Sequence, residues 1–147
     1  MAIDDDALGA WRALLTAHAH VTRAISRDLT DAGLPDLTWY DLLWALYRQP
    51  ERRLRVNELA REVVLSPTAM SRFVDRVEAA GYVRREPDPA DRRALQVAIT
   101  DEGAELLRRM WPVYEQGIER HFAAQLDRSP QRLRAMLERM AASARDA

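Results

Sequence analysis

The chain has 147 residues, 48% of them apolar, and a net charge of −1, enough for one domain or a small domain with an added interaction surface. It contains no cysteine, which excludes disulfides, thiolate chemistry and Cys-ligated zinc. No run approaches the ~18 apolar residues of a membrane span. The acidic start Asp4-Asp5-Asp6 has neither the basic region nor the apolar stretch of a signal peptide, so a cytoplasmic protein is expected.

The near-zero net charge hides an asymmetry. Residues 1–51 carry 4 Arg and 8 acidic residues, 52–93 carry 10 and 7, and 94–147 carry 8 and 8. The middle block is therefore the only net positive one. Every basic residue is Arg, whose planar fork makes bidentate contacts to phosphate and guanine that Lys cannot.

Taken in order, residues 7–32 predict a long helix, with Leu8, Trp11, Leu14, Leu15, His18, Val21, Ile25 and Leu29 at helical spacing. The acidic triplet caps it and Gly33-Leu34-Pro35 ends it. Thr38 caps a second helix, about 39–49, which is apolar over most of its surface and so is expected to be buried on several sides. Leu54-Arg55-Val56 suggests a very short strand. Asn57 caps a third helix, about 58–64, and Leu65 is expected to be buried in the turn after it.

Ser66-Pro67 then opens a fourth helix that stops at Gly81. Met70, Phe73, Val74 and Val77 fall within one arc of about 100°. Thr68, Ser71, Arg72, Asp75 and Arg76 lie opposite. A short helix, a tight turn and a longer helix with polar outer residues make a helix-turn-helix.

The period changes after Gly81. Residues 82–86 and 94–99 predict two strands, with Leu95, Val97 and Ile99 on one face. The charged loop Pro87-Asp88-Pro89-Ala90-Asp91-Arg92-Arg93 joins them. A hairpin directly after a helix-turn-helix is a wing. Thr100 caps a long helix, about 101–127, in which Pro112 should introduce a kink or break. Ser129-Pro130 starts a last helix, about 130–144, with Leu133, Met136, Leu137 and Met140 on one face.

The whole is expected to be mainly α with a small β-hairpin wing: one domain over 1–147. A winged helix-turn-helix DNA-binding lobe (37–100) sits between a helical dimerisation region drawn from both chain ends (1–36 and 101–147). The end helices carry stripes too wide for such a small lobe to cover, which favours a homodimer over a monomer that folds its ends back on itself.

Two stretches give this pattern a family likeness. The wing, Asp88-Pro89-Ala90-Asp91-Arg92-Arg93 followed by Val97-Ala98-Ile99-Thr100-Asp101-Glu102-Gly103, resembles the Asp-x-Arg tip and Leu-Thr-x-x-Gly signature of the MarR family of bacterial transcriptional regulators, with Ile99 in place of the usual Leu. The segment from Leu65 to Val83 is similar to that family's recognition region. The resemblance spans nearly the whole chain. It implies a homodimer whose first and last helices interleave, each subunit presenting one winged helix to a pseudo-palindromic operator, most often as a repressor.

The recognition helix would then enter the major groove. Arg72 and Arg76 are candidates for guanine edges or phosphates, Thr68 and Ser71 for bases or phosphates, and Ala69 for a thymine methyl. Ser66 and the amides at the helix start suit a phosphate. Asp75 would repel phosphate and is expected to orient a neighbouring Arg. Arg93, with Arg92 as competitor, should reach into the minor groove, and Asp91 should brace the wing by accepting from an Arg.

The resemblance also implies a small aromatic or anionic effector between the dimerisation helices and the DNA lobe. Candidate lining residues are Trp11, His18, Trp39, Tyr40, Trp44, Trp111 and Tyr114; each also reads as a core or interface anchor. No enzyme, metal or cofactor is expected. His18 and His20 point about 200° apart round a helix, and no nucleophile triad, phosphate loop or carboxylate pair is present. The competing reading is a winged helix used for protein–protein contact without specific DNA binding.

Overall fold

The structure is a computed structural model that describes residues 2–63, 65, 67–127 and 129–147, with no description of the Pro67 side chain. Helix α1 spans Asp5–Asp31, α2 Leu37–Tyr47, α3 Val56–Val63, α4 Pro67–Ala79, α5 Asp101–His121 and α6 Pro130–Arg145. Strands β1 (Arg53–Arg55), β2 (Val83–Pro87) and β3 (Leu95–Ile99) form an antiparallel sheet in the order β1-β3-β2. A 3₁₀ turn, Ala123–Gln125, links α5 to α6. Among the described residues no helix is long and apolar enough to cross a membrane.

Helix α2 is the centre of the core. Its Leu42, Leu43 and Leu46 are fully buried, as its apolar circumference requires. Around it pack Ile25 and Leu29 of α1, Leu59 of α3, Met70, Val74 and Val77 of α4, Val83 and Val97 of the sheet, and Leu106 and Met110 of α5.

Several boundaries differ from the sequence reading. The cap of α2 is Asp36, whose carboxylate accepts from the Thr38 N–H at 3.1 Å, with the Thr38 hydroxyl on the same oxygen. Asn57 lies inside α3. The capping group there is Glu58, whose carboxylate reaches back to the Arg55 N–H at 3.2 Å, the Glu half of a capping box. Leu65 is 40% exposed rather than buried, although its N–H closes α3 on the Ala60 carbonyl at 2.8 Å. Leu95 is also exposed, because it pairs with Pro87 at the outer end of the hairpin, beyond the core.

Helix α5 runs through Pro112 without a break and ends at His121. Pro112 lies on the exposed side, where water can satisfy the carbonyl it leaves without a partner. Gly33 and Gly81 take φ of +76° and +88°, the left-handed stop that glycine supplies at no steric cost.

The two chain ends stay largely uncovered within one chain. Of the predicted α1 stripe only Ile25 and Leu29 are buried, while Trp11 is 54% and Leu15 50% exposed. Helix α6 buries no residue, and Met140 is 51% exposed.

Candidate nucleic-acid interface

Helix α4 presents the two faces its sequence predicts. Met70, Phe73, Val74 and Val77 are buried; Thr68, Ala69, Arg72, Asp75 and Arg76 are exposed. Ser71 is half-buried and turned toward the wing, where its carbonyl and hydroxyl oxygens accept from Arg85 at 2.9 and 3.4 Å. Ser66, the remaining predicted contact of this helix, lies outside the described residues.

Arg85, on β2, is the residue sequence reasoning missed here. Its guanidinium meets the carboxylates of Asp75 at 2.8 Å and Glu78 at 3.1 Å. Its N–H donates to the other Glu78 oxygen at 2.6 Å. Asp75 does bind an Arg, but one from the sheet rather than from its own helix. The effect is to clamp the outer face of α4 to the root of the wing.

The wing is braced by a second missed residue. Asp88 was a turn former in the sequence, but its side chain is buried at 4% exposure. Its carboxylate accepts from the Ala90 N–H at 2.8 Å and from Arg55 Nε at 2.7 Å, with Arg55 Nη2 at 2.6 Å. The Ala90 amide first, then the Arg55 guanidinium, hold its carboxyl below the usual carboxylate range against the opposing effect of burial. Asp91 accepts from an Arg, as expected: the donor is the Arg93 backbone N–H at 3.0 Å, which makes an Asx turn.

These contacts divide the arginines of the positive block. Arg53, Arg55, Arg84 and Arg85 are spent on Glu86, Asp88, Glu78 and Asp75. Among the described residues, Arg61 on α3, Arg72 on α4 and Arg92 and Arg93 on the wing are exposed with no ion pair, and Arg52 lies over the Tyr47 ring. Arg76 lies over the Phe73 ring at 5.2 Å, with its charge open to solvent.

The start of α5 is locked to this lobe. The Thr100 hydroxyl donates to the Gly81 carbonyl at 2.7 Å and accepts from the Gly103 N–H at 3.1 Å. Gly103 touches the Tyr82 carbonyl so closely that a Cβ there would lie 2.2 Å from its oxygen.

The predicted effector residues divide into three groups. Tyr40, Trp44, Trp111 and Tyr114 line a cleft of about 640 Å³ between α2 and α5, together with Asp41 and Tyr47. Tyr40 stacks on Trp111 at 6.2 Å, and Tyr114 meets both edge-on. His18 lines a different cleft of about 950 Å³ between α1, α2 and α3, which Trp44 and Asp41 also border. Trp39 and Trp11 belong to neither. Trp39 packs edge-on against Phe73 of α4 and Tyr82, and Trp11 stands on the uncovered half of α1.

Comparison with known proteins places this geometry. Residues 32–94, from the end of α1 to the wing, match the model of the MarR family. A MarR family transcriptional regulator from Streptomyces coelicolor, solved in complex with DNA, is 32% identical, with coverage of 98% of this chain and 89% of that one and a TM-score of 0.82. The protein belongs to the MarR family of transcriptional regulators. The HTH-type transcriptional repressor IacR of Pseudomonas putida is 29% identical over 85% of this chain and 73% of its own length. The fold is shared with BpsR of Bordetella bronchiseptica, whose DNA binding is regulated by 6-hydroxynicotinic acid: TM-score 0.74, 21% identity, 92% of each chain covered.

Proposed function

We propose that the protein is a repressor that binds a pseudo-palindromic operator as a homodimer and leaves it when a small molecule binds beside α2. The observation that carries this reading is the placement of the exposed arginines. Arg72 and Arg76 on α4 and Arg92 and Arg93 on the wing are free of carboxylate partners among the described residues, while Arg55 and Arg85 hold the surfaces beneath them rigid. A preorganised cationic surface of this kind suits a duplex.

In this reading α4 enters the major groove, with Arg72 and Arg76 on guanine edges or phosphates, Thr68 beside them and Ala69 against a thymine methyl. Ser66 and the amides beside it would take a phosphate. Arg93, with Arg92 next to it, enters the minor groove. Ser71 and Asp91 act indirectly, by holding Arg85 and the wing turn.

The uncovered apolar faces of α1 and α6 support a dimer built from residues 1–36 and 101–147, since contiguous apolar patches of this kind mark interaction surfaces. The aromatic clefts beside α2 support an effector site, and BpsR offers a precedent for a ligand-regulated relative of the same fold. The relative from Pseudomonas putida, a repressor by name, favours repression.

The reading is tested by fluorescence anisotropy against the DNA upstream of the protein's own gene. Salt-dependent binding with a clear preference over random DNA is expected. Binding with neither property would favour a protein-interaction module instead.

A further inference from the structure

The effector reading leaves the ligand's chemistry open, and the cleft between α2 and α5 constrains it. Five aromatic rings line that cleft: Tyr40, Trp44, Tyr47, Trp111 and Tyr114. Trp44 and Trp111 keep 45% and 40% of their surface exposed. Two ionisable groups of opposite charge accompany them, Asp41 and Arg108. Arg108 is already paired with Glu105 of its own helix at 2.9 Å. Asp41 makes no hydrogen bond and no ion pair among the described residues.

Of the two charged side chains that line the slot, Asp41 is the one without an ion pair among the described residues, which favours a cation over an anion. Ring faces carry negative quadrupole charge and attract cations, and an unpaired carboxylate does the same more strongly. The wall of this cleft already shows the preference: the Arg52 guanidinium rests on the Tyr47 ring, 3.6 Å from its centroid.

We propose that the α2–α5 cleft binds a small organic cation with an apolar body, an amine or quaternary ammonium group, held between the rings of Trp44 and Trp111 and the carboxylate of Asp41. The proposal rests on the reading of this cleft as an effector site and names the ligand class it takes. The carboxyl of Asp41 is pushed up to about 6 by partial desolvation and by Asp36, against the pull of His18. This agrees with a charge that lacks its partner until a cation arrives.

The test uses the full chain and two probes, benzyltrimethylammonium and benzoate, titrated in parallel by calorimetry. Saturable binding of the cation is expected, with benzoate markedly weaker. Asp41→Asn keeps the size of the side chain and should weaken the cation roughly tenfold, the loss of about one charge-assisted contact. Trp44→Leu, on a half-exposed ring, should weaken it several-fold and serves where Asp41→Asn does not melt cooperatively. The proposal is overturned if the cation does not bind, if benzoate binds as tightly, or if both substitutions leave cation affinity unchanged. A second titration, of the preformed DNA complex, separates the two levels. Cation binding without DNA release keeps the ligand class and removes the effector reading. DNA release by benzoate alone keeps the effector reading and removes the ligand class.

Discussion

Arg85 on β2 and Asp75 on the exposed face of α4 are bonded at 2.8 Å, which ties the wing to α4. The two partners are not equivalent. The Arg85 side chain is 19% exposed and also binds Glu78 and Ser71, whereas Asp75 is 66% exposed. Losing the buried hub strands several acceptors at once; losing an exposed partner costs little. Arg85→Ala is therefore expected to destabilise the fold by about 1–3 kcal/mol in urea denaturation and to weaken DNA binding. Asp75→Ala should stay within roughly 0.5 kcal/mol.

The contact between Gly103 and Tyr82 gives a second expectation. A methyl group at position 103 would lie 2.2 Å from the Tyr82 carbonyl oxygen and 2.8 Å from the Ile99 side chain. The first neighbour is backbone and cannot rotate away. Gly103→Ala should cost about 1–3 kcal/mol, the usual range for overpacking, and lower the melting temperature. Unchanged stability would mean that the α5–β2 junction is looser than described.

Asp41 makes stability depend on pH. Its folded carboxyl titrates at about 6, above its ordinary value of 3.8, so the folded state binds a proton that the unfolded chain releases. That favours folding below the ordinary value and is lost as pH rises through about 6. Because water reaches the side chain, the effect should be no more than about 1 kcal/mol. Asp41→Asn, which cannot ionise, should therefore be the more stable protein at pH 7 and gain nothing at pH 4, as read from chemical denaturation at the two pH values.

The uncovered half of α1 is expected to be a subunit contact. Leu15, 50% exposed in one chain, would contribute about 1 kcal/mol per copy if the rest of its surface were buried at the interface, roughly half the value for a fully exposed Leu. Leu15→Asp should shift the mass in size-exclusion with light scattering from dimer to monomer and weaken operator binding with it. A wild-type chain that runs as a monomer would remove the dimer outright.

Much of the architecture was legible in the chain because period and punctuation agree there. The 3.6-residue stripe of α4, the Gly81 stop, the alternation in β3 and the Thr100 cap all correspond to elements. What was not legible depends on distant neighbours. Asp88 reads as a turn residue until Arg55, 33 positions earlier, is folded against it. Arg85 is one of ten arginines in its block until Asp75 and Glu78 arrive beside it. Leu65 reads as buried because it is apolar, and Leu95 reads as sharing a face with Val97 and Ile99, yet both lie where the chain runs past its own core and are exposed. Trp39 and Trp44 sit five positions apart, yet one packs against Phe73 and Tyr82 and the other lines the clefts.

Whether the unpaired arginines of α4 and the wing grip DNA is tested by the anisotropy of labelled operator titrated with the wild-type chain and Arg93→Ala over a series of salt concentrations. Arg93 is exposed and without an ion pair among the described residues, so its loss should leave the fold intact. Affinity should fall by about 1–3 kcal/mol, and the slope of log affinity against log salt should flatten by about one unit. Equal affinity and equal slope for the two proteins would contradict such a grip.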